Sequence, residues 1–275
     1  MSARTWFITG TSRGFGREWA AAALTRGDRV AGTARNTGTT GDLAARYPDT
    51  FLALPLDVTD RAAVFAAVKQ ARDHFGELDI VVNNAGYGHF GMIEEASELQ
   101  ARAQIETNLF GALWVTQAAL PYLRERGAGH IIQVSSIGGI TAFPTLGIYH
   151  ASKWGLEGFS QALAQEVKPF GINVTLIEPG GFTTDWAGSS AGLSTPIPAY
   201  DKLRAAVQRS RATEVRGNPV SSATALLRVV DAEEPPLRCF FGATPLQIAE
   251  ADYASRLETW RAWQPVAAAA QGDGN

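Results

Sequence analysis

Three residues of the chain have the types and spacing needed for acid-base chemistry at a carbonyl group. Ser136 ends the apolar run IIQVSS, Tyr149 follows thirteen residues later, and Lys153 lies four residues beyond it in YHASK. The apolar run predicts a strand, so Ser136 lies at its carboxyl end, where open α/β sheets bind ligands. If YHASK begins a helix, the spacing of four places the tyrosine and the lysine on one face.

These side chains suit the interconversion of a ketone and an alcohol. A tyrosine hydroxyl with a pKa of ~10 is a poor acid-base group at neutral pH, but a nearby ammonium group stabilises its phenolate form. We therefore expect Lys153 to lower the pKa of Tyr149, which would exchange a proton with a carbonyl oxygen as hydride moves to or from the carbon. Ser136 would donate a hydrogen bond to the same oxygen. A half-buried tyrosine and a solvated lysine would explain each residue alone, but not all three at one sheet edge.

A glycine-rich turn follows the first apolar run of the chain. TGTSRGFG contains Gly10, Gly14 and Gly16 in the spacing G-x-x-x-G-x-G. Glycines there permit a tight turn and let backbone N–H groups approach a pyrophosphate at the start of the next helix. An ordinary strand-to-helix turn would also need flexible residues, but three glycines directly after a first strand favour nucleotide binding.

Alternating apolar runs and helical patterns must position these residues. Seven short runs read as strands, several of them continuously apolar as in parallel strands covered on both faces: TWFITG, RVAGT, FLALPL, DIVVNN, HIIQVSS, NVTLIEPG and RCFFG. Helix-length amphipathic patterns such as RAAVFAAVKQARDHF separate them. The alternation predicts an α/β fold, a doubly wound parallel seven-stranded sheet with helices on both faces, formed by residues 1–275 as a single domain.

Two segments depart from this alternation. Residues 181–218 form an irregular insert rich in Ser, Thr, Gly and Pro around a helical patch, Tyr200 to Arg211, and long inserts of this kind are often functional loops. After the last strand, one C-terminal helix is predicted over about residues 245–262, followed by a frayed tail at 267–275.

Composition narrows the functional classes. The 275 residues are 45% hydrophobic and 19% charged, as in one globular domain, and Cys239 is the single cysteine, which excludes an intrachain disulfide and indicates a reducing compartment. The net charge of -3 gives no attraction to nucleic acid or acidic membranes, and no apolar stretch is long enough for a transmembrane helix. The histidines and the cysteine show no metal-ligand spacing. The short segment before the first strand leaves no room for a signal peptide, so we expect a cytoplasmic protein.

Over residues 4 to 242 the sequence resembles the short-chain dehydrogenase/reductase family in its single-domain, Rossmann-type form. The matching motifs occur in order: TGTSRGFG, NNAG at 83–86, Asn108, Ser136, YHASK and PGGFTT. The resemblance implies that Tyr149 is the acid-base catalyst and that Lys153 also holds the nicotinamide ribose. It further implies that Asn108 anchors a water linking the lysine to solvent. Asn108 lies in QIETNLFGALWV, which by its periodicity is a helix, so a packing or kink role is the alternative.

The resemblance also implies which residues hold the cofactor. Asp57 would contact the adenine, although it could instead cap the helix that starts near Arg61. Thr184 and the backbone of Phe182 would contact the nicotinamide carboxamide, and Asn83 would mainly stabilise the central strand. The predicted cofactor residues are Gly10, Ser12, Arg13, Gly14, Phe15, Gly16, Arg35, Asp57, Val58, Asn84, Ala85, Gly86, Tyr149, Lys153, Pro179, Gly180, Phe182 and Thr184.

The end of the second strand indicates which cofactor is preferred. In AGTARN, Ala34 occupies the place where NAD-preferring members of the family tend to have an acid, and Arg35 follows it. The missing carboxylate would not repel a 2′-phosphate, and the planar guanidinium is suited to bind one. Arg13 is a second cation that could reach the same group. A lone arginine after a strand is usually solvated surface, but together these features favour NADP over NAD.

The substrate side is expected to form from the loops after Gly86 and Ser136 and from the insert. Its predicted lining is mainly apolar: Tyr87, His89, Phe90, Met92, Phe143, Pro144, Leu146, Trp186 and Leu193. Such a pocket suits a bulky or aromatic ketone or alcohol. By the resemblance, the helical patterns at 99–126 and 152–167 would pair subunits in a homo-dimer or homo-tetramer.

Other functional classes remain open at this stage. The favoured activity is that of an NADP-dependent ketoreductase, with an NAD-dependent alcohol dehydrogenase as the nearest alternative. A non-catalytic NADP-binding redox sensor would share the fold, but its expected mark is a damaged catalytic set, whereas Ser136, Tyr149 and Lys153 are intact. A sugar-nucleotide epimerase would normally carry a larger C-terminal region.

Overall fold

A computed structural model describes residues 3–188 and 190–272 and contains a seven-stranded parallel sheet in the order β3-β2-β1-β4-β6-β7-β9. All seven predicted strands are present, so the predicted α/β fold with a single Rossmann-type domain is confirmed. The strands of this sheet are β1 (Thr5–Thr9), β2 (Arg29–Ala34), β3 (Phe51–Pro55), β4 (Ile80–Asn83), β6 (Gly129–Val134), β7 (Ile172–Pro179) and β9 (Arg238–Phe241). Two short strands that the sequence did not predict, β5 (His89–Phe90) and β8 (Gly192–Leu193), pair in parallel beside the site.

Helices cover both faces of the sheet. The nine α-helices among residues 3–188 and 190–272 are α1 (Gly14–Thr25), α2 (Gly41–Arg46), α3 (Arg61–Phe75), α4 (Glu98–Ile105), α5 (Gly111–Arg126), α6 (Gly147–Val167), α7 (Asp201–Ala212), α8 (Pro219–Asp231) and α9 (Pro245–Gln271). Helices α3, α5 and α6 bury Val68, Leu123 and Leu163 against one face. Helices α1, α2 and α8 bury Trp19 and Leu226 against the other.

The sheet changes winding direction between β1 and β4, and this determines where the site lies. Chain order runs outward from β1 through β2 to β3 on one side, and from β4 through β6, β7 and β9 on the other. The loops after β1 and β4 therefore leave the sheet in opposite directions, which opens a crevice at the carboxyl ends of the strands.

The C-terminal region differs from its prediction. Helix α9 ends at Gln271 rather than near residue 262, so residues 267–271, predicted as a frayed tail, are helical. Alanines at 267–270 have the highest helix propensity and sustain the helix beyond Pro265. Residues 273–275 lie outside the described part of the chain. Within the insert, the predicted helix Tyr200 to Arg211 corresponds to α7 with a shift of one residue.

Candidate active site

A large cleft opens at the carboxyl ends of the strands, where the winding direction changes. Its volume is about 1020 Å³, at the upper end of the range of about 300–1,000 Å³ that ligand pockets span. All but two of the predicted catalytic and cofactor residues line it, the exceptions being Asn108 and Gly16. The structure therefore brings together residues spread from Gly10 to Thr184.

The glycine turn has the geometry that its sequence predicts. Gly10 and Gly14 have φ angles of 72° and 60°, in the left-handed region that favours glycine. Gly16 lies beneath the turn, where a Cβ would be 2.4 Å from the Gly10 carbonyl oxygen. Helix α1 begins at Gly14 without a side-chain cap on its N-terminal N–H groups. Uncapped N–H groups facing a cleft suit a phosphate, so this part of the site fits a dinucleotide.

Asn84 fixes the glycine turn to the end of β4. Its Nδ2 donates to the carbonyl oxygens of Thr9 at 2.8 Å and Gly10 at 3.0 Å. In return, the Thr9 hydroxyl accepts from the backbone N–H groups of Asn84 and Ala85, both at 2.9 Å. These bonds fix the loops after β1 and β4 relative to each other, at the place where the winding direction of the sheet changes. Asn83 instead donates to the Thr116 hydroxyl on α5 at 3.0 Å, which agrees with the strand-stabilising role expected of it.

The second strand ends, as predicted, beside the part of the cleft where a 2′-phosphate of the cofactor is expected. Ala34 is the last residue of β2, and the exposed Arg35 follows it into the cleft lining. Asp57, which also lines the cleft, accepts from the backbone N–H of Thr59 at 3.0 Å and from its hydroxyl at 2.8 Å. These bonds, with the charge of Arg35, hold the pKa of Asp57 below its usual value. Asp57 does not cap the following helix, because Asp60 caps α3 by accepting from Ala63.

Arg13 has a partner on the opposite side of the cleft. Its guanidinium lies 2.5 Å from Asp185, which follows β7 and the PGGFTT turn. The sequence suggested Arg13 as a second ligand for a 2′-phosphate beside Arg35. In the structure it bridges the glycine turn and the insert, so its availability to a phosphate depends on sharing or breaking that pair.

Tyr149 and Ser136 meet in the floor of the cleft. Tyr149 lies in the first turn of α6 and is 5% exposed, and Ser136 follows β6. The Ser136 hydroxyl also accepts from the backbone N–H of Gly138 at 2.9 Å, which fixes its direction. Burial raises the pKa of Tyr149 to about 12, and the hydrogen bond to Ser136 only partly offsets this. The expected lowering of the tyrosine pKa by Lys153 is therefore not found in the structure, where desolvation is the largest influence on this hydroxyl.

Lys153 lies on the same face of α6 as Tyr149, as the spacing predicts. Its Nζ is 5.8 Å from the centre of the Tyr149 ring and donates to the Val134 carbonyl oxygen at 2.8 Å. Burial lowers the pKa of Lys153 to about 8, with a small opposing influence from Glu157. The lysine is thus anchored at the end of β6, close enough to act on the tyrosine and on a ligand beside it.

Asn108 lies in a π-helical turn, Glu106–Phe110, that joins α4 to α5. The sequence predicted one continuous helix there, and such turns often occur at functional sites. Its side chain accepts from the Tyr87 N–H at 3.1 Å and donates to the Tyr87 carbonyl oxygen at 3.0 Å and to Ser152 at 3.2 Å. Asn108 therefore ties the loop after β4 to the helix that carries Tyr149 and Lys153, while its proposed link to water stays a prediction.

Behind the lysine, the carboxyl groups of Glu157 and Glu178 are buried side by side. Arg238 donates to Glu157 at 2.8 Å and lies 3.5 Å from Glu178. If both groups were ionised, neither could donate a hydrogen bond to the other. Both oxygens of Glu178 would then lack a hydrogen-bond donor among the described residues. Burial and the Glu157 charge raise the pKa of Glu178 to about 9. A proton on Glu178 gives the pair its hydrogen bond, so we assign the neutral form to Glu178 at neutral pH.

The substrate side of the cleft differs in part from its predicted lining. Tyr87, Phe143, Pro144, Leu146 and Trp186 line it as expected. Four other predicted residues do not. His89 is buried and bonds to Ser194 at 2.8 Å, Met92 is buried, Leu193 is 70% exposed, and Phe90 packs behind Trp186 with their ring centres 5.2 Å apart. Three of these residues, His89, Phe90 and Leu193, belong to the paired strands β5 and β8, which the sequence did not predict.

Sequence reasoning missed His150 and Arg211 among the residues that line the cleft. His150 accepts from the Phe143 N–H through Nε2 at 2.9 Å, so its Nδ1 carries the proton donated to the Gly138 carbonyl oxygen at 2.8 Å. It thus fixes the loop after Ser136. Arg211, on α7, reaches the substrate side from a helix whose sequence gives no sign of it. His150 lies within YHASK, so its position beside the tyrosine was a usable signal.

Among residues 3–188 and 190–272, no three His, Cys, Asp or Glu side chains lie close enough together to hold a metal ion. Of the helices in those ranges, none has the length and apolar character needed to cross a membrane.

Comparison with known proteins places this geometry among related enzymes. Residues 4–192 match the family model for short chain dehydrogenases. The chain is 42% identical to Oxidoreductase BOA17 of Botryotinia fuckeliana, over 90% of this chain and 91% of that protein. It is 36% identical to a 3-ketodihydrosphingosine reductase of Bacteroides thetaiotaomicron, over 86% of each. The crystal structure of a short-chain dehydrogenase from Streptomyces avermitilis superimposes with a TM-score of 0.92 and 37% identity, covering 98% of both chains.

Proposed function

This chain belongs to the short-chain dehydrogenase family of oxidoreductases, and we propose that it is an NADP(H)-dependent ketoreductase. In this proposal it transfers hydride between the nicotinamide and a ketone or secondary alcohol. The observation that carries the proposal is the placement of a buried Tyr149 between Ser136 and Lys153 at the carboxyl end of the sheet.

The protonation state of Tyr149 suits it to act as the acid in ketone reduction. With a pKa of about 12, the hydroxyl keeps its proton at neutral pH and is ready to donate it to a carbonyl oxygen. Ser136 donates a hydrogen bond to the same oxygen, which stabilises the negative charge that develops there. The bound reduced nicotinamide supplies the hydride.

Lys153 has two proposed tasks. Its ammonium group favours the tyrosinate that remains after proton donation, because the two groups lie on one helix face in a buried site. It also holds the nicotinamide ribose, a role carried over from the family. The Val134 carbonyl limits the motion of Nζ, and Asn108 holds the backbone of Tyr87 and the hydroxyl of Ser152.

The preference for NADP rests on Ala34 and Arg35. No carboxylate stands at the end of β2 to repel a 2′-phosphate, and Arg35 is exposed at the cleft edge, where its guanidinium can bind one. Arg13 contributes less than the sequence suggested, because Asp185 already neutralises it. An NAD-dependent dehydrogenase is the alternative that the same site would permit.

A bulky ketone is supported by the aromatic walls around Tyr149. The Trp186 ring lies 4.9 Å from the Tyr149 ring, centre to centre, and Phe143 and Tyr87 also line the cleft. The ketone substrate named for the Bacteroides thetaiotaomicron relative supports a carbonyl group as the reacting centre. A cytoplasmic location and a homo-oligomer remain predictions from the sequence.

NADPH oxidation at a panel of ketones tests this function directly. We expect wild-type protein to reduce at least one aryl ketone and the Tyr149→Phe variant to lose most of that rate, since phenylalanine has no proton to donate. Equal rates in both proteins would overturn the mechanism. Repeating the assay with NADH tests the cofactor, and equal kcat/KM values for the two cofactors would contradict the NADP preference.

A further inference from the structure

The guanidinium of Arg211 lines the substrate side of the cleft. It is partly buried and lies 4.5 Å from the centre of the Phe90 ring. Among residues 3–188 and 190–272, no side chain or backbone group forms a hydrogen bond or an ion pair with it, although Glu214 is near enough to influence its charge. Burying an unpaired cation is unfavourable, so such a group usually has a ligand that supplies the missing partner.

Arg211 lies on the substrate side of the cleft, apart from the proposed cofactor phosphates. The Trp186 ring, which lines the cleft, lies 4.9 Å from the Tyr149 ring and 5.2 Å from the Phe90 ring against which Arg211 rests, centre to centre. Arg35, in contrast, follows β2 at the cofactor side. A substrate whose carbonyl is at Tyr149 would therefore pass Trp186 before it reaches Arg211.

The surroundings of Arg211 favour an anion over a neutral group. Arg216, which also lines the cleft, adds a second positive charge, and its proximity contributes to the lowered pKa of Arg211. Two carboxylates, Asp185 and Glu214, also line this part of the cleft. Asp185 is paired with Arg13. Glu214 is exposed and lies against Gly181, where a Cβ would be 2.3 Å from its Oε1. One Phe90 face covers the guanidinium, which leaves its in-plane N–H groups available to a ligand.

From this arrangement we propose that Arg211 binds a carboxylate carried by the substrate. The inference rests on the proposed function and narrows it: the substrates are ketones, or the corresponding alcohols, in which an aromatic or other apolar spacer separates the reacting carbon from a carboxylate. A planar carboxylate matches the two parallel N–H groups of a guanidinium. Arg211 is then a specificity-determining residue, while Tyr149 and Lys153 act on the carbonyl.

The test uses two ketones that differ only in charge. 4′-Acetylbiphenyl-4-carboxylate has a spacer of two rings, and its carboxamide is a neutral analogue of similar shape. We expect wild-type kcat/KM to favour the carboxylate by about 10- to 100-fold, the equivalent of one charge-assisted interaction. The Arg211→Met variant should lose that preference through a higher KM for the carboxylate, while its kcat/KM for the carboxamide changes by a much smaller factor. Arg209→Met, which removes the same charge from an exposed position on the same helix, is the matched control and should keep the preference.

Each outcome separates this inference from the proposed function. If wild type reduces both ketones equally, or Arg211→Met keeps the preference, the carboxylate site is refuted and the reductase stands. If Arg211→Met slows both substrates alike, the arginine merely holds α7 against Phe90, and the inference fails. If neither ketone is reduced, calorimetry tests whether Arg211 binds the carboxylate. Wild type with oxidised cofactor, which cannot transfer hydride to a ketone, should bind the carboxylate about tenfold or more tightly than Arg211→Met does, and equal affinities would refute the site.

Discussion

Replacing Glu178 with glutamine should change how the stability of this protein depends on pH. In the folded protein the carboxyl group is buried beside Glu157 and keeps its proton, since its pKa is raised to about 9. In the unfolded chain the same group ionises near its ordinary value of 4.5. Glutamine keeps the shape and a hydrogen-bond donor but has no proton to lose. The substitution therefore removes one titration and leaves the packing of the pair largely in place.

The sign of the effect follows from proton counting. Between about pH 4.5 and 9 the folded wild-type protein holds one proton that the unfolded chain has released. This contribution is complete below the unfolded pKa and declines as pH rises, by about 1.4 kcal/mol per pH unit. The change of unfolding free energy per pH unit does not depend on the exact folded-state pKa of Glu178, provided that all measurements lie between the two pKa values. From pH 6 to pH 8 the Glu178→Gln variant should gain about 3 kcal/mol in unfolding free energy relative to wild type.

Urea unfolding at fixed protein concentration and at pH 6, 7 and 8 measures this difference. The other titrating groups are common to both proteins and cancel in the comparison. Glu258→Gln, which removes a carboxylate from the exposed side of α9, is the control and should leave the pH dependence of wild type unchanged. If the curves for wild type and Glu178→Gln run parallel, Glu178 is ionised in the folded state and the proposed shared proton is wrong.

Three further outcomes test the site. Because burial lowers the pKa of Lys153 to about 8, kcat/KM for ketone reduction should fall as pH rises beyond 8, and a profile flat to pH 10 would contradict the role of its charge. Asp185→Asn should release Arg13 and raise the NADPH-to-NADH ratio of kcat/KM by about threefold or more, whereas a lower ratio would show that the ion pair itself organises the cleft. Gly16→Ala should weaken cofactor binding in a fluorescence titration, because the added Cβ meets a carbonyl oxygen at 2.4 Å. Gly158→Ala, with open space around its Cβ, should instead raise the unfolding free energy by about 0.5–1 kcal/mol.

Local sequence was sufficient wherever a residue's role depends on its immediate neighbours. The glycine turn is an example, since the φ angles of Gly10 and Gly14 follow from a strand that must reverse into a helix. The shared face of Tyr149 and Lys153 is another, because helical spacing alone sets it. The seven strands were predicted from their continuous apolar character, which parallel strands need when both faces are covered.

Predictions failed where distant segments meet. The pairing of β5 with β8 joins residues about a hundred positions apart, and it includes His89 and Leu193, which were predicted to line the cleft and do not. The π-helical turn at Asn108 departs from a helical pattern that the residue types alone would continue. The greater length of α9 has a local cause instead, since a run of alanines sustains the helix beyond Pro265.

The sequence by itself determined the architecture, the order of its strands and helices, and the placement of the proposed catalytic residues at the carboxyl end of the sheet. Tertiary structure alone decided the charges in the cleft. Tyr149 keeps its proton and Arg13 is paired with Asp185, because burial and partners from other segments control the pKa and the ion pair. The unpaired Arg211 on the substrate side is likewise a product of folding. Residue types and spacing describe what a chain can do locally, whereas desolvation and charge pairing depend on which distant atoms surround each group.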